Sequence, residues 1–207
     1  MINREGIKLS LPLIAGFLFL SAFGKSRLSL IFRNIFGLIA IFILYFFRDP
    51  KRKTLADDNI LYSPADGRIT MIKEQDDGWL VHIFMSPFDV HINRAPCRGQ
   101  VESLNYVPGK CLPAFKKEAL EQNESNTTVI KNENFSITVR QISGILARKI
   151  VCWVSQGEEI RQGQKIGMIK FGSGCQLTVP KHFSLVVFEG EHVRAGLTPV
   201  AVQAETK

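Results

Sequence analysis

The chain has 207 residues, 45% of them hydrophobic, which is enough for one globular domain with an additional segment and excludes a wholly disordered protein. The formal net charge of +7 resides in residues 1–53, which hold nine Lys or Arg and two acidic residues, whereas the remainder is neutral. A basic excess around an apolar segment suits an anionic membrane surface, and it argues against a nucleic-acid partner, which would favour basic residues on the folded domain.

Two apolar runs open the chain, and basic residues flank both. Residues 9–23 are uncharged, and residues 28–47 form a second run that Arg33 and Asn34 interrupt. A membrane-spanning helix needs about 20 apolar residues, so the runs predict an apolar helical hairpin, either two tilted spans or a re-entrant or interfacial pair. The basic residues leave its orientation open. A cleaved signal peptide is disfavoured because no small-residue cleavage site precedes the second run.

We assign residues 1–53 to this membrane-anchoring segment and residues 54–207 to a β domain, with residues 48–58 as the connection. Short segments rich in β-branched residues, separated by Gly, Pro and Asp, predict a mainly β fold, a β-sandwich or flattened barrel. Residues 116–134 are polar and poorly periodic, so we expect a mobile loop there with room for one helical turn. The predicted strands are 67–74, 79–85, 100–107, 135–142, 147–154, 164–171, 175–180 and 183–190.

The cysteines and histidines do not show the spacing of a metal site. No two cysteines have zinc-finger spacing, and we expect reduced, mostly buried thiols at Cys97, Cys111, Cys152 and Cys175. A membrane-tethered zinc hydrolase is an alternative that would use His82, His91, His182 and His192. These histidines lack the close pairing of zinc enzymes, which favours exposed or strand-filling roles, and no metal is predicted.

Residues 170–174 read Lys-Phe-Gly-Ser-Gly between two predicted strands. Composition alone favours a hairpin turn. Chemistry offers a second interpretation, in which the Ser173 hydroxyl attacks the Gly172 carbonyl and converts the amide into an ester. Elimination and hydrolysis then leave a pyruvoyl group at the new terminus. Gly172 suits this shift because it has no Cβ to block the approach and tolerates strained backbone angles.

Five further segments occur in a set order around this junction. They are Phe-Arg-Asp-Pro at 47–50, Ser-Pro-Ala-Asp-Gly at 63–67, the run at 84–96 that contains Ser-Pro-Phe-Asp-Val-His, Tyr-Val-Pro-Gly at 106–109 and Ala-Arg-Lys-Ile-Val at 147–151. With Phe-Gly-Ser at 171–173, the chain closely resembles the short, prokaryotic type of phosphatidylserine decarboxylase proenzyme. The resemblance covers about residues 47–190, and the two apolar runs also look like that family.

The resemblance implies an enzyme that converts phosphatidylserine into phosphatidylethanolamine in phospholipid biosynthesis. Cleavage between Gly172 and Ser173 would yield a large subunit, residues 1–172, and a small subunit, residues 173–207, which stay together as a heterodimer; a higher oligomer remains open. Ser173 would become a covalent pyruvoyl cofactor, without metal or pyridoxal phosphate. The membrane phospholipid substrate implies a protein at the cell membrane, peripheral or integral, with its active domain on the cytoplasmic side. The lipid backbone, diacyl or ether, is left open.

The resemblance also assigns roles to single residues. Asp66, His91 and Ser173 match positions that form a protease-like triad for self-cleavage, in which the histidine deprotonates the hydroxyl and the aspartate orients the imidazole. His91 is also the expected proton donor in decarboxylation. Longer family members carry a second histidine where this chain has Arg94, which cannot act as a base near neutral pH. Either His91 serves both reactions, or Arg94 binds the substrate's phosphate or carboxylate.

Residues 157–167 support a rival interpretation because they resemble the hairpin of lipoyl and biotinyl carrier domains and of phosphocarrier proteins. On that hypothesis the chain is a carrier module on a membrane anchor, and Lys170 is the attachment residue. A carrier lysine lies at the tip of a turn, whereas Lys170 is predicted at the end of a strand. The hairpin is therefore better evidence for a β domain than for a carrier function.

Overall fold

The computed structural model describes residues 2–110, 112, 118–144, 149–170 and 173–203, with the backbone alone at Ala119 and Ser173. The chain forms two compact units, Met1–Lys51 and Arg52–Lys207, which we call the helical unit and the β unit. The division falls slightly before the predicted boundary at residue 53, so that Arg52 and Lys53 belong to the β unit.

The helical unit consists of α1 (Arg4–Phe23) and α2 (Arg27–Phe46). The Asn3 side chain caps α1 by accepting a hydrogen bond from the backbone of Glu5, and Ser26 begins α2 with a capping box. Each helix has 20 residues, with a mean hydropathy of 1.8 for α1 and 2.1 for α2, so each is long and apolar enough to cross a membrane. The predicted apolar hairpin is confirmed.

Glycines allow α1 and α2 to approach each other closely. A Cβ added at Gly16 would lie 2.8 Å from the ring of Phe36, and one added at Gly37 would lie 3.2 Å from the ring of Phe17. Small residues facing large ones in this way are how helices pack where water provides no driving force between them. The two helices therefore form a packed pair, and most of their apolar side chains remain on its outside.

The β unit consists mainly of strands that form one large and two small sheets. The strands are β1 (Ile60–Tyr62), β2 (Gly67–Gln75), β3 (Gly78–Met85), β4 (Ile92–Arg94), β5 (Gly99–Val107), β6 (Ser125–Lys131), β7 (Ser136–Ile142), β8 (Ile150–Cys152), β9 (Glu159–Ile160), β10 (Lys165–Ile169), β11 (Ser173–Pro180), β12 (Phe183–Leu185), β13 (His192–Val193) and β14 (Pro199–Gln203); a short helix, α3 (Ala119–Gln122), precedes β6. The large sheet is curled and has eight strands in the order β13-β2-β3-β11-β7-β6-β5-β9. Two three-stranded sheets, β1-β14-β12 and β4-β10-β8, accompany it.

The core lies against one face of the large sheet, and alternation along the strands explains which residues fill it. Val81 and Ile83 of β3 and Cys175 and Leu177 of β11 are fully buried there. Each strand contributes every second residue to this apolar layer, as expected for an antiparallel sheet with one core face. The predicted mainly β fold is confirmed.

The expected loop at 116–134 is wrong at residues 125–131, which form β6 inside the large sheet, whereas the helical turn expected there is present as α3. The polar side chains of the β6 segment led to the prediction of a loop. Asn126 and Thr128 are buried on the same face as Ile130, and the Asn126 amide donates a hydrogen bond to Gln141 at 3.1 Å. A buried polar group with a matched partner can occupy a strand that looks like a loop by composition.

Candidate active site

Ser173 is the first residue of β11, which lies between β3 and β7 near the middle of the large sheet. In the register it stands opposite Met85, the last residue of β3, and the next residue, Gly174, stands opposite both Phe84 and Ile142. Gly172, on the other side of the predicted cleavage site, lies outside the described residues. The topology thus brings Ser173 to the point where β3 enters its following loop.

We call residues 63–67 the first motif loop and residues 86–91, which follow β3, the second motif loop. Hydrogen bonds within the second motif loop hold it in a tight turn. Asp89 donates its backbone N–H to the Ser86 carbonyl at 2.9 Å, and the Asp89 carboxylate accepts from the Ser86 N–H at 2.8 Å. Such reciprocal bonding is typical of Ser and Asp in turns. The loop ends at His91, immediately before β4.

His91 is 1% exposed, and its Nδ1 lies 3.0 Å from the Asp89 carbonyl oxygen. A carbonyl can only accept, so this contact assigns a hydrogen to Nδ1 and, in the neutral ring, makes Nε2 the basic nitrogen. A backbone carbonyl therefore fixes the tautomer here, in the role that the sequence predicted for Asp66. The geometry prepares His91 to accept a proton at Nε2.

The first motif loop, residues 63–67, holds Asp66 in a buried ion pair. The Arg52 guanidinium donates two hydrogen bonds to the Asp66 carboxylate, at 2.5 and 2.7 Å, and the side chains are 7% and 8% exposed. The Ala195 N–H donates a third at 2.8 Å. These partners occupy both carboxylate oxygens, so the structure does not bring Asp66 into contact with the His91 imidazole.

Arg52 is a site residue that was not predicted from the sequence, although a signal for it was present. In the sequence it is one of several basic residues in the connection at 48–58. The bidentate contact to Asp66 and a further bond of 2.8 Å to the Ala195 carbonyl place it inside the β unit instead. An aspartate expected within a buried site needs a cationic partner, and the nearest basic cluster in the sequence contained it.

A chain of buried amides links β7 and β4 to the first motif loop. Gln141, which stands opposite Cys175, donates to the Asn93 side chain at 2.9 Å, and Asn93 donates to the Pro64 carbonyl at 3.3 Å. The same carbonyl accepts the Arg94 N–H at 2.9 Å. Gln141 and Asn93 are fully buried, so the position of β4 is coupled to that of the first motif loop.

His82 is a second residue whose position the sequence did not reveal. It lies on β3, 5% exposed, with its ring packed over Gly174, so that a Cβ added at Gly174 would lie 2.5 Å from the His82 Cε1. Desolvation by burial lowers the pKa of His82 to about 4, which keeps the ring neutral. The neighbouring ring therefore leaves no room for a side chain at position 174.

Arg94, the predicted substrate-binding residue, is 6% exposed and donates from Nη1 to the Gly163 carbonyl at 2.8 Å. The zinc alternative gains no support, since no three His, Cys, Asp or Glu residues cluster among the described parts of the chain. Lys170, the attachment residue of the rival hypothesis, follows β10, where its N–H lies 3.4 Å from the Lys149 carbonyl. It is therefore not at the tip of the residue 157–167 hairpin.

Two open surface cavities lie away from the candidate site. One, of about 380 Å³, is lined by Trp79, Phe135 and Pro180, and the other, of about 750 Å³, includes Arg98 and Lys131. Pro180 is the last residue of β11, roughly 23 Å along the strand from Ser173 at the usual rise per residue. The candidate site is therefore identified by the strand register and the hydrogen bonds near Ser173, and not by the size of a cavity.

Comparisons with known proteins show which proteins resemble this chain in sequence. The family model described as "Phosphatidylserine decarboxylase" matches residues 39–201. A phosphatidylserine decarboxylase proenzyme of Pelodictyon phaeoclathratiforme is 42% identical over 171 residues, which cover 80% of this chain and 81% of the relative. The phosphatidylserine decarboxylase proenzyme of Desulfotalea psychrophila is 38% identical over 205 residues, which cover 95% of this chain and 94% of the relative.

Proposed function

Because the chain belongs to the phosphatidylserine decarboxylase family and is therefore a decarboxylase, we propose that it converts phosphatidylserine into phosphatidylethanolamine after cutting itself between Gly172 and Ser173. The observation that carries this proposal is the position of Ser173 at the start of β11, opposite the residue at which β3 enters the second motif loop. A serine in a regular hairpin turn would not need two motif loops beside it.

In the proposed cleavage, the Ser173 oxygen attacks the Gly172 carbonyl carbon and the peptide nitrogen becomes the leaving amine. His91 accepts the hydroxyl proton at Nε2, because Nδ1 holds its hydrogen against the Asp89 carbonyl at 3.0 Å. Loss of the Ser173 Cα proton then expels the Gly172 carboxylate and breaks the chain. Water replaces the nitrogen at residue 173, and ammonia leaves.

Asp66 enters the proposal as a positioning residue rather than as the group that orients the imidazole. Arg52 and Ala195 fix its carboxylate, and with it the first motif loop. The Pro64 carbonyl of that loop receives hydrogen bonds from the Arg94 N–H and the Asn93 amide, which set the start of β4 directly after His91. Asp66 therefore acts on the histidine through the backbone of two neighbouring segments.

The chain's residues fit a pyruvoyl group at position 173. This group would accept the electron pair that stays on the substrate when carbon dioxide leaves. The neutral His82 ring packs against Gly174, so the amide that follows position 173 lies in a dry, close-fitting environment. His91 would return a proton to the substrate carbon after carbon dioxide leaves. Arg94 remains the proposed phosphate or carboxylate ligand, although its buried bond to Gly163 also suits a role in holding β4.

The proposed substrate explains the helical unit. A phospholipid with two long chains stays in the bilayer, and two apolar helices with basic flanks are compatible with membrane association. We propose a location at the cell membrane with the β unit on the cytoplasmic side. The cleaved protein would consist of residues 1–172 and 173–207 held together as a heterodimer.

Intact-mass spectrometry of the purified protein tests both parts of the proposal. We expect two fragments that meet between Gly172 and Ser173, with the second lighter by one ammonia than a fragment that begins with serine. Ser173→Ala should remain full length and release no carbon dioxide from phosphatidylserine. Ser184→Ala, at an exposed serine of β12, is the matched control and should cleave and react normally. An active wild-type chain with an unbroken backbone would overturn the cleavage mechanism.

A further inference from the structure

We propose that the β unit contacts the lipid bilayer through its own apolar rim, formed by Phe88, Val186 and Phe188, beside the candidate active site. The inference rests on the proposed function, since it takes the bilayer to be the phase that holds the substrate. It adds a membrane contact separate from the helical unit. The rim would place the headgroup of a lipid next to the second motif loop.

The three side chains of the rim are largely exposed. Phe88 is 66% exposed, Phe188 is 68% exposed and Val186 is 49% exposed. Leu185 and Val187 pack against the core, so alternation along this extended segment directs Val186 and Phe188 outward. Phenylalanine side chains carry large apolar areas, and projecting them into water at two loop tips is unfavourable unless another phase receives them.

One ion pair joins the two parts of the rim. The Asp89 carboxylate, next to Phe88 in the chain, lies 3.0 Å from Nε2 of His192 at the start of β13. Phe188 is close to the same strand, in a turn where its N–H donates to the Glu191 carboxylate at 3.3 Å. Phe88 is also three residues from Met85, which stands opposite Ser173, and three from His91. The rim therefore borders the candidate site.

Charged side chains of both signs surround the rim. Arg68 stands opposite His192 on β2, and Arg194 follows β13; both are exposed. Neither guanidinium has a hydrogen-bond or ion-pair partner among the described residues. The carboxylates of Glu189 and Glu191 accept hydrogen bonds from backbone N–H groups, which leave their negative charge in place, and Asp89 adds a third carboxylate. Exposed phenylalanines beside charges of both signs match the boundary between acyl chains and headgroups, where a membrane offers both.

A bilayer fits this surface better than a second copy of the chain does. A stable protein interface buries about 800 Å² on each partner, which three side chains at two loop tips do not provide. Membrane contact has no such threshold, because each apolar group that enters the lipid contributes by its own area. The small size of the rim therefore favours lipid as its occupant.

The test compares two substrates for a Val186→Ser/Phe188→Ser variant of the full chain. With phosphatidylserine in phosphatidylcholine vesicles, we expect decarboxylation to fall roughly tenfold, because two apolar contacts with the acyl region are lost. With a short-chain, monomeric phosphatidylserine the rate should stay within about twofold of the wild type, since the rim does not take part in the chemistry. The control, Gln75→Ser/Asn134→Ser, changes two exposed, uncharged side chains at the turns that precede β3 and β7, at the far end of the sheet from Ser173, and should change neither rate.

Equal losses on the two substrates, or no loss on vesicles, would contradict the proposed membrane contact. A change of the sedimentation coefficient that reveals a second copy of the chain on the rim would also contradict it. Fluorescence quenching tests the membrane contact without any need for enzyme activity. It therefore remains informative if the proposed function is wrong and the protein is inactive. The added indole of Phe188→Trp should be quenched by vesicles with brominated acyl chains, whereas that of Gln75→Trp, at the far end of the sheet from Ser173, should not. Equal quenching of both, or of neither, would contradict the proposal.

Discussion

The two motif loops bind their aspartates with the same pattern of bonds but at different depths. Asp66 in the first motif loop accepts from the Ala195 N–H and pairs with Arg52, and Asp89 in the second accepts from the Ser86 N–H and pairs with His192. The Arg52–Asp66 side chains are 7% and 8% exposed, whereas those of His192 and Asp89 are 51% and 13% exposed.

Burial decides what each pair can do. A buried bidentate pair is strongly destabilised when one partner is removed, because the other is left as an uncompensated charge. An exposed pair is screened by water and contributes little. We therefore expect the first motif loop to act as a fixed support, and the second, which carries His91, to keep freedom to adjust. Three predictions test this difference.

The largest effect is expected from Asp66→Ala, which leaves the Arg52 guanidinium buried without its carboxylate. The free energy of unfolding should fall by about 3–5 kcal/mol. Urea denaturation in detergent, followed in a Ser173→Ala background that stays uncleaved, measures this loss. Asp58→Ala is the matched control, because its ion pair with Arg98 is equally short at 2.6 Å but 54% and 69% exposed. Its cost should stay below about 1 kcal/mol, and equal losses for both variants would refute the comparison.

A pH effect should arise from His82 on β3, the strand that enters the second motif loop. Its pKa is lowered by burial to about 4, whereas an unfolded histidine titrates near 6.5, so the unfolded chain binds the proton first. Stability is complete above about pH 6.5 and falls by up to roughly 3 kcal/mol as the pH drops towards 4.

Denaturation at several pH values should show this slope in the wild type and a shallower one in His82→Gln. His182→Gln, at an exposed histidine, provides the control and should keep the wild-type slope. Identical slopes in the wild type and His82→Gln would show that another group dominates the acid response.

The smallest effect is expected from His192→Gln, which removes the exposed partner of Asp89. The change in the free energy of unfolding should lie within about 0.2–1 kcal/mol and should shrink further as salt is added. Thermal unfolding at low and high ionic strength measures it. A loss as large as that of Asp66→Ala would mean that the second motif loop depends on its ion pair as the first does, and would remove the distinction between them.

Most of the fold was predictable from the sequence. The alternation of apolar and polar residues indicates strands, and the Gly, Pro and Asp residues between them indicate turns, from local information alone. The segment at 67–74 became β2 and the segment at 100–107 became β5, each within one residue at either end. β6 was missed because its buried Asn126 and Thr128 look like loop residues until the partner strand is known. The segment at 183–190 was predicted too long, since β12 ends at Leu185.

The candidate site was predictable as a set of residues but not as a set of contacts. Ordered motifs named Asp66, His91 and Ser173, yet no local pattern shows which side chain a carboxylate meets across the fold. Arg52 lies 14 residues before Asp66, and Ala195 lies 129 residues after it, so only the tertiary structure reveals that they share this carboxylate. His82 was similarly hidden, because its importance comes from the ring's position over Gly174.

The pairing of β11 has a consequence for how the protein can be handled in the laboratory. This strand matches β3 at every position from Ser173 to Pro180, and β13 and β14 are laid against β2 and β1. A fragment starting at Ser173 would thus be held to the rest of the protein by hydrogen bonds and core packing, with no peptide bond between them. Once denaturation separates the two fragments, they would have to associate again in solution. Unfolding should therefore depend on protein concentration and be hard to reverse.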